Sequence, residues 1–156
     1  VLSEESAYVV LELLKGVTTA GSGVRLRTSE HYYKDIITGF PYEFTNPIAG
    51  KTGTTQNHTD GWFMGVVPNL ATGVWTGGED RAVHFENIAE GQGATMSLPT
   101  WALFMKKVYA DTSLNISQED FEKPESIGIV TACGKDSSTK DKNSKKIIPE
   151  DDDIDF

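Results

Sequence analysis

The residues with the clearest chemical potential stand together as Lys51-Thr52-Gly53-Thr54-Thr55. Their types predict a β-strand, on which Thr52 and Thr54 present both hydroxyls to one face. Hydroxyls beside the ammonium of Lys51 suit the binding of a carboxylate, and each hydrogen bond to a charged group contributes about 1.5–3 kcal/mol. Gly53 has no side chain, so a ligand backbone can approach there and pair as an added strand. The segment is therefore a candidate site for an extended, anionic ligand.

The same segment has an alternative interpretation without chemistry. A surface edge strand often carries a lysine that opposes aggregation, and threonine is an ordinary strand residue. Acyl transfer on a serine would need a nucleophile, a base, an oxyanion hole and a grip on the substrate. Residues 51–54 can supply only part of that set, so the neighbouring sequence has to decide between the two interpretations.

Other reactive side chains offer no competing mechanism. The three histidines, His31, His58 and His84, have no metal-ligand spacing, and we expect them to be surface or partly packed residues. The single Cys133 excludes an internal disulfide and a cysteine-based zinc cluster. Its polar surroundings indicate an inert thiol. We therefore predict neither a metal site nor a cofactor.

The amino-acid composition limits the kinds of partner that the chain can bind. The net charge of −9 arises from 23 acidic and 14 basic residues without a basic stripe, so the chain has no electrostatic footprint for nucleic acid. No apolar run reaches the roughly 20 residues that span a bilayer, and the first residues predict a soluble helix rather than a signal peptide. A piece of a longer protein would lack such segments anyway, so their absence does not favour the cytoplasm.

Periodicity predicts an α+β fold, with an antiparallel sheet flanked by helices. The first helix should run over residues 3–16 from an N-cap at Ser3. Strands are predicted at 48–54, 62–67 and 71–76, with a short fourth strand at 82–85. A closing helix should run over residues 97–109, with Ser97 as its cap and Pro99 in its first turn. We expect this helix to bury Trp101, Phe104, Met105 and Val108, and we assign Trp62, Trp75 and Trp101 to packing.

Two further segments lack such patterns. Residues 24–47 are predicted to be an irregular insertion with one short helical turn. Residues 124–156 are polar and acidic, and they contain too little apolar surface to offset the entropy of ordering. We therefore divide the chain into a domain portion at 1–123 and a tail at 124–156 that is disordered from about residue 125.

Three stretches around the candidate strand resemble class A penicillin-binding proteins, which are bifunctional peptidoglycan synthases. They read Ile-Ala-Gly-Lys-Thr-Gly-Thr-Thr-Gln-Asn at 48–57, Asp-Gly-Trp-Phe-Met-Gly at 60–65 and Gly-Val-Trp-Thr-Gly-Gly-Glu-Asp at 73–80. Lys-Thr-Gly is a motif of the serine enzymes that penicillin acylates. The resemblance extends to the preceding helix and to Gly91-Gln92-Gly93, Pro99 and Trp101, and it covers about residues 1–123.

The resemblance implies a partial transpeptidase domain of the penicillin-binding and serine β-lactamase type. In that family a serine acylates on the D-Ala-D-Ala end of a stem peptide, and an amine then resolves the acyl-enzyme into a crosslink. β-Lactam antibiotics mimic the dipeptide and leave a stable acyl-enzyme. The implied parent protein is a D,D-transpeptidase with a glycosyltransferase domain, held at the outer face of the cytoplasmic membrane by an N-terminal transmembrane helix.

Residue by residue, Lys51 resembles the third-motif lysine that hydrogen-bonds the second-motif serine. Thr52 and Thr54 resemble the hydroxyls that grip the carboxylate of substrate or drug. The backbone N–H of Thr54 resembles an oxyanion-hole donor, and Gly53 resembles the close-approach position. The implied catalytic residues are thus Lys51 and Thr54, and the implied substrate-binding residues are Thr52, Gly53, Thr54 and Thr55.

The chain also departs from the family pattern. The Ser-x-x-Lys that should supply the nucleophile does not occur upstream of Lys51. Ser137-Ser138-Thr139-Lys140 matches only as text in the polar tail, and Ser113-Leu114-Asn115 fits the second motif but also follows Lys51. We interpret both as coincidences. The insertion at 28–45 exceeds the usual connection in length.

We therefore expect the C-terminal portion of a transpeptidase domain that is inactive alone and forms no penicillin adduct. Its partners would be the stem peptide, β-lactams in the intact domain, and the N-terminal remainder of its own chain. The truncated sheet should expose an apolar patch and self-associate. Alternatives are a D,D-carboxypeptidase or β-lactamase-like serine hydrolase, and a non-catalytic envelope binding module.

Overall fold

The computed structural model describes residues 2–30 and 37–128, and it opens with helix α1, Glu4–Ala20. The Ser3 side chain accepts a hydrogen bond from Ser6 N–H at 3.2 Å, which confirms the predicted N-cap. The predicted end near Gly16 is wrong, because the helix continues through Gly16 to Ala20. The helix ends instead before Gly21, whose N–H donates to the Val17 carbonyl.

Three antiparallel strands form the sheet in the order β1-β2-β3. They are β1 at Ala49–Thr54, β2 at Asp60–Val67 and β3 at Leu70–Gly77. The three predicted strands are confirmed to within two residues, but the fourth at 82–85 is wrong. Asp80 instead organises a turn there, since its carboxylate accepts from Ala82 N–H at 2.8 Å and its carbonyl from Val83 N–H at 2.9 Å.

Three helices follow the sheet: α2 at Ile88–Gly91, α3 at Gly93–Met96 and α4 at Leu98–Ala110. The first two are single turns that sequence periodicity did not predict. Pro99 lies in the first turn of α4 as predicted. Ser97 occupies the N-cap position, but its side chain does not cap. The Ser97 hydroxyl instead donates to the Gly61 carbonyl at 2.7 Å, which ties α4 to β2.

The core lies between α4 and one face of the sheet. Trp101 is 1% exposed and stacks edge-on against Phe63 with ring centroids 5.1 Å apart. The predicted burial of Phe104 is wrong, since 45% of that residue is exposed. The irregular segment before β1 also contributes to this core. The buried cluster comprises Leu26, Ile37, Tyr42, Phe44, Ile48, Phe63, Val67, Leu98, Trp101, Ala102, Met105 and Val108.

The opposite face of the sheet carries Trp62 and Trp75, which are paired across β2 and β3. They are 44% and 48% exposed, so their assignment to packing is wrong. The physical reason is the two-residue period of a strand, which buries Phe63 and turns its neighbours outward. Met64, 45% exposed, belongs to the same face. These three side chains form an exposed apolar group of the kind expected of a partial sheet, and self-association stays a prediction.

The segment after α4 returns along α1. Lys15 joins α1 to this segment through an ion pair with Asp120 at 2.8 Å, and it also pairs with Glu12 of its own helix at 2.7 Å. Within the part of the chain that the structure describes, the short 3-10 turns are Val24–Leu26, Gln56–His58 and Thr112–Leu114. The predicted division at residue 123 stays a prediction, and the predicted disorder falls mostly on residues 129–156, which lie outside the described residues. None of the described helices combines the length and apolar character needed to cross a bilayer.

Candidate functional site

The candidate strand β1 is an edge of the described sheet. Thr55 N–H donates to the Asp60 carbonyl at 3.0 Å. These two residues lie opposite each other, so they are a hydrogen-bonded pair, and the pairs of β1 with β2 alternate from there between bonded and non-bonded. Because antiparallel partners alternate between bonded and non-bonded pairs, the backbone groups of Thr52 and Thr54 point away from β2. The edge therefore presents two N–H donors and two carbonyls in the arrangement that an added extended strand requires.

The side chains of β1 divide between the two faces of the sheet. Thr52 lies opposite Phe63 and Thr54 opposite Gly61, so the prediction that the two threonines share a face is confirmed. Lys51 and Gly53 belong to the other face. The exposed Lys51 returns to the edge, where Nζ donates to the Thr52 carbonyl at 2.7 Å. The ammonium thus lies at the edge of the strand, while the two hydroxyls lie on one face of it.

Both hydroxyls of the shared face have partners from outside the sheet. Thr52 Oγ1 lies 2.7 Å from Ser22 Oγ, and either atom can be the donor. Thr54 Oγ1 accepts a hydrogen bond from Gly93 N–H at 3.0 Å. The sequence analysis did not predict these contacts with Ser22 and Gly93, because contacts across 30 and 39 positions leave no local signal.

Thr55 lies apart from the other two hydroxyls. Its Oγ1 donates to Asp60 Oδ2 at 2.9 Å and accepts from Asp60 N–H at 3.0 Å. Thr59 Oγ1 also donates to Asp60 Oδ2 at 2.9 Å, and Trp75 Nε1 donates to Oδ1 at 3.2 Å. These donors stabilise the charged form and, with Thr55 foremost, lower the pKa of the Asp60 carboxyl. The predicted substrate role of Thr55 stays a prediction, while its hydroxyl holds the turn after β1.

The pH dependence of stability should report this cluster. Because the folded-state pKa of Asp60 lies below its ordinary value of 3.8, the carboxylate stabilises the fold above that pH, and the stabilisation is lost as the pH falls through the folded pKa. We expect Asp60→Asn to lower the urea midpoint at pH 7 and to approach the wild type below pH 3.8. Lys15 lowers the pKa of Asp120 as well. Asp120 is present in both the wild type and Asp60→Asn, so its contribution to the pH dependence cancels in the comparison.

Glu86→Gln is the matched control, since Glu86 is exposed and makes no hydrogen bond within residues 2–30 and 37–128. Its midpoint should follow the wild type throughout. A difference between wild type and Asp60→Asn that stays constant with pH would contradict the assigned role of the carboxylate.

The start of β1 is anchored to α1. Thr18 is fully buried, and its Oγ1 donates to the Ile48 carbonyl at 2.6 Å. Arg27 supports the same region by donating from Nη1 to the Phe44 carbonyl at 3.0 Å, and burial lowers the pKa of its guanidinium. These contacts hold the segment that enters β1 in place, and with it the positions of Lys51 and Thr52.

Among the described residues, the other candidate site residues make no hydrogen bond to β1. His84 is exposed and His58 is half-buried, as expected. His31, Cys133 and the Ser137–Lys140 match lie outside the described residues. Ser113 lies in the turn after α4, where its hydroxyl donates to Asp111 Oδ1. Within residues 2–30 and 37–128, no group of three acidic, histidine or cysteine side chains is arranged to hold a metal ion.

No family model matches the chain. Among curated proteins, the chain is similar to part of penicillin-binding protein 1A from several bacteria. Penicillin-binding protein 1A of Clostridium tetani is 27% identical over 135 residues, which cover 86% of this chain and 15% of that protein. Penicillin-binding protein 1A of Neisseria flavescens is 35% identical over 134 residues, with 85% and 14% covered. That of Aquifex aeolicus is 36% identical over 89 residues, with 57% and 11% covered. The chain thus spans only 11–15% of the length of these relatives.

Proposed function

We propose that the chain is the C-terminal portion of the transpeptidase domain of a penicillin-binding peptidoglycan synthase. The single observation that carries the proposal is the edge of β1, where the outward backbone groups of Thr52 and Thr54 lie beside the Lys51 ammonium, with the two threonine hydroxyls on the adjoining face of the strand. This edge suits an extended peptide that ends in a carboxylate. The similarity to penicillin-binding protein 1A over most of the chain supports the assignment.

In this proposal the D-Ala-D-Ala end of a stem peptide pairs along β1. Its carboxylate accepts from the hydroxyls of Thr52 and Thr54. The Thr54 N–H donates to the oxygen that becomes negative during acyl transfer, an interaction whose removal typically costs about 10²–10³ in rate. Lys51 orients a hydroxyl outside the present chain and attracts the anionic peptide. Gly53 allows the close approach.

The rest of the machinery belongs to other parts of the parent protein. The nucleophilic serine and its base come from the N-terminal remainder, so the 156-residue chain alone neither crosslinks peptides nor forms a penicillin adduct. The parent also carries a glycosyltransferase domain and an N-terminal transmembrane anchor, and it works on the outer face of the cytoplasmic membrane.

Acylation by a fluorescent penicillin tests the proposal. The gene is read upstream of Val1, and the protein that includes any upstream Ser-x-x-Lys is compared with the 156-residue chain. We expect stoichiometric labelling of the longer protein and none of the chain. Lys51→Ala in the longer protein should slow labelling by about 10²–10³-fold, the range for loss of one group that stabilises the transition state by electrostatics. Lys107→Ala, an exposed lysine on α4, is the control that should label normally.

Labelling of the 156-residue chain would refute the assignment as a portion without a nucleophile. A longer protein without an acylated serine would favour the non-catalytic binding module. Product analysis separates the remaining alternative, since crosslinked peptides indicate a transpeptidase, while D-alanine released without crosslinks indicates a carboxypeptidase.

A further inference from the structure

Within the described residues, the Thr54 hydroxyl is the one motif hydroxyl that accepts from a backbone amide and has no acceptor for its own proton. Gly93 N–H can only donate, so Thr54 Oγ1 must accept at their 3.0 Å contact. A threonine hydroxyl has a single proton, and within residues 2–30 and 37–128 that of Thr54 has no acceptor. The proton is therefore available for donation to an anion.

The other motif hydroxyls lack this property. The Thr55 proton is donated to the Asp60 carboxylate at 2.9 Å. Thr52 faces Ser22 at 2.7 Å, and either hydroxyl can donate, so the Thr52 proton has an acceptor already in place. Of the three threonine hydroxyls, Thr54 alone is prepared as a donor before any ligand arrives.

The contact with Thr54 requires glycine at position 93. A Cβ at Gly93 would lie 2.3 Å from the Gly53 carbonyl oxygen and 2.4 Å from that of Trp62, both far inside van der Waals contact. These are backbone atoms of two paired strands, which cannot move aside as a flexible side chain can. Any larger residue would therefore push the amide away from Thr54.

Two hydrogen bonds hold the turn around Gly93 in place. Arg25 Nη1 donates to Thr95 Oγ1 at 2.7 Å, which connects the turn to the loop before β1. Ser97 Oγ donates to the Gly61 carbonyl at 2.7 Å, which connects it to β2. The amide of Gly93 is thus fixed from both sides, so its direction toward Thr54 is a property of the folded chain.

We propose that Gly93 is a positioning residue that occupies an acceptor site of Thr54 Oγ1, leaves the Thr54 proton for a ligand, and so favours a ligand with a carboxylate over one with a neutral amide at the edge of β1. The inference rests on the proposed function for the identity of the ligand. A carboxylate presents a charged acceptor oxygen to the Thr54 proton in either orientation, whereas a carboxamide presents a neutral acceptor in only one orientation and its NH₂ donor in the other.

The contact itself is tested without ligand by amide hydrogen exchange on the ¹⁵N-labelled chain. Thr54→Val removes the acceptor with little change of shape, and we expect the Gly93 amide to exchange about threefold to tenfold faster, as for loss of one hydrogen bond. Thr54→Ser keeps the oxygen and should retain the slow exchange. Thr52→Val is the matched control and should leave Gly93 unchanged. Equal exchange in Thr54→Val and wild type would overturn the inference.

Ligand selection is tested by NMR titration with N-acetyl-D-alanyl-D-alanine and its C-terminal carboxamide. We expect the wild type to bind the carboxylate more tightly than the carboxamide. Replacing Gly93 by glycolic acid in cell-free translation turns its amide N–H into an ester oxygen without adding a Cβ. That oxygen can attract the Thr54 proton, so carboxylate affinity should fall about threefold to tenfold and the preference should diminish.

The two hypotheses fail differently. If the wild-type chain binds neither dipeptide, the proposed pairing of the stem peptide along β1 is contradicted, and the selection by Gly93 falls with it. If the wild type prefers the carboxylate and the ester variant prefers it equally, the proposed function survives and the role of Gly93 is refuted.

Discussion

Replacing Trp101 by alanine is expected to lower the free energy of unfolding by about 3–5 kcal/mol, the range for truncating a large buried aromatic side chain. Trp101 is 1% exposed and packs against Phe63 and Phe44, with ring centroids 5.1 and 6.2 Å away. Truncation leaves a cavity between α4 and the sheet. It also leaves the Thr72 hydroxyl without the indole N–H that donates to it at 2.7 Å.

Urea unfolding followed by circular dichroism measures the change, with Phe104→Ala as the matched control on the same helix. Phe104 is 45% exposed, so its truncation should change stability by less than about 1 kcal/mol. Should Trp101→Ala unfold the chain altogether, Trp101→Phe keeps part of the packing and should give an intermediate loss. Equal effects of Trp101→Ala and Phe104→Ala would mean that a different face of α4 meets the sheet.

Substituting alanine at Gly65 should produce the second large loss, of about 3 kcal/mol, the upper part of the usual range for overpacking a core. The added Cβ would lie 2.2 Å from Cζ2 of Trp101. The indole cannot move without losing contact with Phe63 and its hydrogen bond to Thr72. One methyl group at this position therefore has to displace α4 from the sheet.

The same substitution at Gly16 should have the opposite sign. Gly16 lies inside α1 with nothing within 4 Å of an added Cβ, so alanine should stabilise the chain by about 0.5–1 kcal/mol through its higher helix propensity. Thermal unfolding of the two variants beside the wild type measures both changes. A destabilised Gly16→Ala, or a neutral Gly65→Ala, would contradict the packing described around these glycines.

Local patterns in the sequence were sufficient for the elements and for part of the site. Alternation with turn residues every ten positions predicted β1, β2 and β3, because strand period and turn chemistry are properties of neighbouring residues. The Ser3 cap and the place of Pro99 follow from the same local rules. The shared face of Thr52 and Thr54 needed only the two-residue period of a strand.

The errors arose where local preferences are weak. Gly16 inside a helix costs only about 1 kcal/mol, so packing carried α1 on to Ala20. The strand predicted at 82–85 lost to a turn built on Asp80, in which a side chain replaces a strand partner. Trp62 and Trp101 are chemically alike, and only the placement of α4 made one exposed and the other buried.

The sequence by itself determined that a Lys-Thr-Gly-Thr strand lies in an antiparallel sheet with helices around it, because such patterns are set within a few residues. The tertiary structure alone decided which hydrogen-bond partner each threonine hydroxyl has. Thr55 turns to Asp60, Thr52 meets Ser22, and Thr54 accepts from Gly93. The last two contacts join residues 30 and 39 positions apart, and their geometry depends on how loops and strands pack, which no local pattern encodes.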